Sequence, residues 1–153
     1  MIHAFSMTDL GLLSQLLGLN IAQTKDGIKV HQSKYALDFL NKFNMKYCKP
    51  SKTPFLSGVK FEEAGCSPMV DSTLYRQLIG CLMYLTHSRP NIFYVVSVAS
   101  RYMYHPHEIH WIESKRILNF VQGTRTNGIF YKAKSDVDLI VFTDSDWAGD
   151  NTD

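Results

Sequence analysis

The sequence predicts an α+β fold, on three observations. An Asp26-Gly27 pair separates two short runs with strand character. Four stretches, one after Ser33 and three between residues 71 and 122, carry apolar side chains at helical spacing. From Gly128 onward the period shortens to β-like runs.

The elements follow in order. Thr8 to Asn20 reads as a short helix or a helix-to-strand passage, because Leu10, Leu13 and Leu17 recur at helical spacing behind a capping Thr8 or Asp9. Leu19 to Gln23 and Ile28 to His31, joined through Lys25-Asp26-Gly27, read as a hairpin. Ser33 suits an N-cap for a helix through about Phe43, with Ala36, Phe39, Leu40 and Phe43 on one apolar stripe and Lys34, Asp38 and Lys42 facing outward. The stretch from Cys48 to Val70, rich in Pro, Ser and Gly, is a connecting loop.

Asp71 or Ser72 caps a helix through about His87, with Leu74, Leu78, Cys81, Leu82 and Leu85 as its apolar face. Arg89-Pro90 breaks it. The next helix, Asn91 to about Tyr104, is apolar nearly all round, which predicts a central position. A further helix from Glu108 to Gln122 carries Trp111, Ile112, Ile117, Leu118 and Val121, and Gly123 supplies its stop. Gly128 to Tyr131 and Leu139 to Phe142 are the late strands.

Composition narrows the function classes. At 153 residues and 45% hydrophobic, the chain suits one domain, or one domain plus a piece of another. It has no apolar run long enough for a transmembrane helix and no signal-peptide pattern at its start, so the expectation is an intracellular protein, cytoplasmic or nuclear, with no membrane partner. Three cysteines without CxxC spacing support neither a disulfide framework nor a cysteine zinc site. The formal net charge of +2 hides a gradient. Residues 1–60 hold eight lysines against three aspartates, whereas residues 131–153 hold two lysines against six aspartates. A basic front suits a polyanion and an acidic tail suits a metal ion, although an uneven solvated surface gives the same totals.

Individual motifs are weaker. Thr143-Asp144-Ser145-Asp146-Trp147-Ala148-Gly149-Asp150 follows an apolar run, and carboxylates at a strand end can hold magnesium. His105, His107 and His110 lack a further ligand at a familiar zinc spacing. Ser14, Ser33 and Ser88 lack a nucleophile elbow, and there is no phosphate-cradling glycine loop. Lys25, Lys29, Lys34, Lys42 and Lys46, interleaved with Tyr35 and Tyr47, can track a phosphate backbone; alternatively the tyrosines are core and the lysines solvated.

Taken together in order, these blocks resemble the Pol polyprotein of copia-type LTR retrotransposons. The blocks are Met7-Thr8-Asp9-Leu10-Gly11, Leu17-Gly18, His31-Gln32-Ser33-Lys34-Tyr35 and Thr53-Pro54, then Tyr75 through Leu85, Ser88-Arg89-Pro90-Asn91-Ile92 and Ser100-Arg101-Tyr102-Met103. They continue through His110-Trp111, Lys115-Arg116-Ile117-Leu118 and Gly123-Thr124 to Thr143 through Asp150, nearly the whole chain. Two departures are Asn91, where an Asp is usual, and Gln15-Leu16, which replace a more aromatic pair.

The resemblance implies a division into three. Residues 1–70 correspond to the end of the reverse transcriptase palm, a primer-grip-like hairpin and a thumb helix with its connecting loop. Residues 71–127 correspond to a helical connection region, and residues 128–153 to the truncated start of an RNase H-like domain. The YVDD-like polymerase motif lies upstream of these blocks in the family and is absent from this chain. Asp144 matches the first RNase H carboxylate, in an incomplete catalytic and magnesium site. Lys25, Lys29, Lys34 and Lys42 are the expected nucleic-acid contacts. The expected partners are an RNA–DNA hybrid or DNA template-primer, held without sequence preference, and the remainder of the Pol polyprotein. The parent reactions are RNA-directed DNA synthesis and hybrid cleavage with Mg2+, which this piece is expected to bind only loosely and to use for neither reaction. The alternative is a helical interaction domain, or a pseudogene product, without a ligand.

Overall fold

The structure, a computed structural model, describes residues 11–55 and 67–133. It is α+β: a four-stranded antiparallel sheet in the order β1-β2-β3-β4, with four α-helices. The strands are β1 (Gln15–Leu16), β2 (Leu19–Thr24), β3 (Gly27–His31) and β4 (Gly128–Lys132). The helices are α1 (Ser33–Lys42), α2 (Ser72–Leu85), α3 (Phe93–Ser100) and α4 (Glu108–Gly123).

Of the helix or helix-to-strand passage expected over Thr8 to Asn20, residues 11–20 show only the passage into a strand at Leu19. Residues 11–20 hold no helix, because Leu17 and Gly18, at φ 47° and 77°, form a tight turn that pairs Leu16 with Leu19 and Gln15 with Asn20. Two successive positive φ values match the right-handed twist of a hairpin, and glycine adopts them freely. Leu17 bears the strain, and the Tyr84 hydroxyl donates to its carbonyl.

The second hairpin forms where expected, one residue out of register with its signal. Lys25 and Asp26 make the turn, and Thr24 pairs with Gly27 at the start of β3. Gly27 is needed for another reason. At φ 152° it lies under β4, where a Cβ would overlap the Tyr131 carbonyl oxygen and sit 3.0 Å from Lys132 Cα. β4 pairs along its whole length with β3, Gly27 opposite Lys132 and His31 opposite Gly128. Residues assigned from sequence to the opposite ends of the chain thus share one sheet.

α1 begins one residue earlier in logic than expected. Gln32, not Ser33, is its N-cap residue, and Ser33 is helical, with its hydroxyl 2.8 Å from His31 Nδ1. Its stripe of Ala36, Phe39 and Leu40 is buried as the periodicity requires. At α2, Asp71 caps the helix by accepting from the Thr73 and Leu74 amides at 2.7 and 3.4 Å. The buried face is Tyr75, Leu78, Ile79, Leu82 and Leu85, so it is turned away from Leu74, which is exposed.

α3 is shorter than the sequence suggests. Residues 86–88 and 90–92 form two 3-10 turns around Arg89, and Pro90 takes the first position of the second. Val95, Val96 and Ala99 are buried, but Phe93 is 63% exposed, so the helix is not enclosed on every side. In α4, Ile117, Leu118 and Val121 are core, Trp111 is half-buried and Ile112 is exposed. His107 and His110 form a capping box, with the His107 amide donating to His110 Nδ1 at 2.9 Å. That gives these histidines a structural task.

One cluster, from Ala36 in α1 to Val121 in α4, forms the core. Tyr75, fully buried, joins three helices: its hydroxyl donates to Ala99 O at 2.9 Å and receives Ser114 Oγ at 3.4 Å. Burial pushes this phenol up to about 12. The 46–55 segment straps across α4 through Gln122 Nε2 to Lys46 O (2.6 Å), Ser51 N to Asn119 O (3.1 Å) and Arg116 Nη2 to Thr53 Oγ1 (3.1 Å). Along the same side of α4, polar atoms of Glu113, Arg116, Asn119 and Gln122 are buried without a hydrogen-bond partner among the described residues.

Two outcomes follow. Gly27→Ala is expected to cost about 1–3 kcal/mol, since the strained backbone and the Tyr131 carbonyl both resist a Cβ. Urea denaturation measures the loss, and an unchanged midpoint refutes this account of the β3–β4 contact. Burial pushes the Glu113 carboxyl above its ordinary value, partly opposed by Arg116. The folded state therefore holds the proton to higher pH than the unfolded chain does. Stability is greater below the ordinary glutamate value of about 4.3 and declines as pH rises through the window above it. Glu113→Gln is expected to raise the midpoint at pH 7 and leave it unaltered well below pH 4; equal effects at both pH values contradict the assignment.

Candidate nucleic-acid interface

The four candidate lysines lie on adjacent elements. Lys25 is in the β2–β3 turn and exposed, and Lys29, half-buried in β3, sits opposite Ala22 and Phe130. Lys34 and Lys42 are exposed near the two ends of α1, about 12 Å apart along its axis. Asp38 lies between them at four-residue spacing, so this helix stripe is less basic than the lysine count suggests. Lys42 folds back so that its Nζ is 5.7 Å from the Phe43 ring centroid.

The end of α1 builds a sharper feature. Asn44 adopts φ 55°, the Asn44 amide bonds to Asn41 O, and the Met45 amide returns to Leu40 O at 2.8 Å. This is a Schellman stop with Asn in the left-handed position that glycine usually fills. The chain leaves the helix sharply, and Gln122 pins it at Lys46 O. Tyr47 then projects, 88% exposed, with Lys46 Nζ 5.2 Å from its ring centroid. Asn41, Asn44, Lys46, Tyr47 and Cys48 line a cleft of about 410 Å³. The two tyrosines in the basic segment therefore divide. Tyr35 packs against the core, and its hydroxyl donates to Cys81 O at 3.1 Å; Tyr47 is free to stack. Burial pushes Tyr35 far above the ordinary phenol range.

A second feature carries no sequence signal strong enough to find it. Gly80 stands in the middle of α2 on its exposed side, and a Cβ there would meet nothing within 4 Å. Glycine inside a helix costs about 0.5–1 kcal/mol relative to alanine, and no contact among the described residues requires it here. Arg76, Gln77 and Met83 are exposed on the same helix. A bare backbone beside a cation and an amide lets another body approach closely.

No group of His, Cys, Asp or Glu able to hold a metal occurs among the described residues. Asp144 and its flanking run lie outside the described residues, as do Leu139 to Phe142, Thr8 to Leu10 and the middle of the 48–70 loop.

Comparison with known proteins places the chain. Residues 1–57, which include the hairpins, all four candidate lysines and the Lys46–Tyr47 cleft, match the model of the reverse transcriptase (RNA-dependent DNA polymerase) family. The Pol polyprotein of transposon RE2 from Arabidopsis thaliana is 36% identical over 149 residues, 97% of this chain and 10% of that protein. The chain is similar to a part of the Pol polyproteins of such retrotransposons. A Pol polyprotein of transposon TNT 1-94 from Nicotiana tabacum is 35% identical across 96% of this chain and 12% of its own length. An uncharacterized mitochondrial protein of Arabidopsis thaliana is 35% identical across 95% of this chain and 60% of its own length. The chain thus spans about a tenth of the Pol polyproteins it matches. No solved structure matches it.

Gly80→Ala is expected to stabilise the protein by about 0.5–1 kcal/mol. Thermal denaturation reads the gain. A loss of stability instead means that an internal contact needs the glycine.

Proposed function

We propose that this chain serves as a template-primer-holding part of a reverse transcriptase and performs no chemistry by itself. The observation that carries this reading is the cleft at the end of α1, where an exposed Tyr47 ring stands beside Lys46 and two asparagines. An unburied ring next to a cation suits a base unpaired at a duplex end, because every base offers a stacking face. Lys25, Lys29, Lys34 and Lys42 supply phosphate contacts that fix position without reading sequence. The open backbone at Gly80 offers a further close approach.

Asp144 is proposed as the first RNase H carboxylate and a magnesium ligand, on the resemblance alone. Magnesium there organises hybrid cleavage in the parent enzyme, and a two-metal centre needs several converging carboxylates. The sequence carries no YVDD-type motif, which supports the absence of polymerisation by this chain. The protein is proposed to act inside the cell.

One further surface favours docking of the remaining Pol polyprotein. A groove of about 440 Å³ between α2 and α3 is lined by Met83, Phe93 and Val96, with His87 and Ser97 at its polar margin. An apolar groove left open by the chain's own packing suits a partner segment.

Fluorescence anisotropy with an RNA–DNA hybrid bearing a single-stranded tail tests the reading. Binding is expected to weaken steeply between about 50 and 200 mM salt, and removal of each phosphate-contacting lysine should reduce the log–log slope by about 1. Tyr47→Ala should cost about 1–3 kcal/mol on the tailed substrate and nothing on a blunt duplex. Absence of binding at 50 mM salt rejects the proposal, and template-dependent primer extension by the purified chain rejects its non-catalytic half.

A further inference from the structure

Arg89 poses a problem of charge. It is 2% exposed, in the connection between α2 and α3, and every group that its guanidinium bonds among the described residues is neutral. Nη1 donates to Thr124 O at 2.8 Å, Nη2 donates to Thr124 Oγ1 at 2.6 Å, and Nε reaches Asn91 Oδ1 at 3.4 Å. Its Cζ lies 5.9 Å from the Phe120 ring centroid. Burial pushes its protonation down from the ordinary value, with no carboxylate among the described residues contributing. Thr124 ends α4, whose terminal dipole offers about half of a negative charge. No carboxylate among the described residues compensates the rest of the cation, and a buried charge without a counter-charge is costly.

Beside Arg89 is a cavity of about 260 Å³, lined also by Ser88, Asn91, Asn127 and Gly128. An arginine has five N–H donors, of which three are engaged here. Two asparagine amides add neutral donors, and among the described residues no acidic side chain lines the cavity. One cation with neutral donors and no acid is the chemistry of an oxyanion site. Gly128 pairs with His31, just before α1, so the cavity opens where the sheet passes into the helix that carries Lys34.

We propose that the Arg89 cavity is an oxyanion subsite that takes a phosphate group, with Asn91 leaving room for the ligand's charge where a carboxylate would fill it. The source of that phosphate as a nucleic-acid backbone rests on the template-primer reading above; a free phosphate is the other source of the same chemistry.

The test uses the full chain and Asn91→Asp, an exposed position where a carboxylate falls beside Nε and competes with the ligand. Melting temperatures are compared in inorganic phosphate and in chloride at equal ionic strength. Phosphate stabilises proteins generally, so the quantity read is the increment of the wild type over Asn91→Asp. That increment is expected to be roughly 3 °C near saturation, while Asn91→Asp melts higher than wild type in chloride. In parallel, both proteins are titrated with the tailed hybrid, where Asn91→Asp should lose affinity by about tenfold and reduce the salt slope by about 1. A phosphate increment with lost hybrid affinity supports a backbone phosphate in the cavity. A phosphate increment with unaltered hybrid affinity, or with no hybrid binding at all, supports a free-phosphate subsite, and in the second case the template-primer reading falls alone. No increment overturns the subsite, even if the hybrid binds well through the lysines.

Discussion

Ser88 and Arg89, adjacent and buried between α2 and α3, are the junction on which the helical arrangement depends. Ser88 Oγ donates to Gln32 Oε1 at 2.8 Å, and Gln32 Nε2 reaches Tyr84 O at 3.3 Å, which ties the start of α1 to the end of α2. Arg89 turns the other way and closes the end of α4 through Thr124. Two residues thus tie α1, α2 and α4 together at the turn that leads into α3. Each hydrogen bond contributes only about 1 kcal/mol, but leaving any of these buried partners unmet costs more than that. The core packs tightly only while the junction holds its shape, which makes a connecting turn as important as the apolar stripes it joins.

This arrangement also bears on the relation between the fold and its basic surface. The chain segment that matches the reverse transcriptase family runs from the hairpins through α1 and the strap. None of those elements is independent of the helices beyond it. Gln122 of α4 pins Lys46, Cys81 of α2 receives the Tyr35 hydroxyl, and Tyr84 of α2 holds the Leu17 turn. The later helices act as the mount on which the earlier surface is set. That coupling gives a physical reason for relatives to match across nearly the whole chain, including a mitochondrial protein of Arabidopsis thaliana that is much shorter than a Pol polyprotein.

Much of the fold was legible where local chemistry decides it. The Asp71 cap, Pro90 at the start of its turn, the stop near Gly123 and the stripe of α1 follow from single residues or short periods. The misses occurred where distant contacts decide. Leu10, Leu13 and Leu17 suggested a helix, but a turn with positive φ at Leu17 won because Tyr84 holds it from 67 residues away. At α2, Leu74 and Tyr75 are both suitable for burial, and only the partner at Ala99 selects Tyr75. The candidate site divides in the same way. The lysines were readable as a basic front, but which tyrosine stays open was not, since Cys81 and Gln122 settle it through tertiary bonds. Gly80 gave no signal, because a lone glycine in a helical pattern has no periodic meaning.

The sheet carries one consequence of its own. Gly27 is the only strand residue among the described ones that is fully buried, and β1 and β4 are exposed along most of their length. Its ladder bonds are intact, yet little apolar area is removed from water when it forms. Regions built this way open at low free energy while the rest of the molecule stays closed. Amide hydrogens in β2 and β3 should therefore exchange with solvent through local opening, whereas those of α2 and α4 wait for the whole molecule to unfold. The sheet is a low-stability unit attached to a cooperative helical one, and a polyanion bound across both would make them a single cooperative unit.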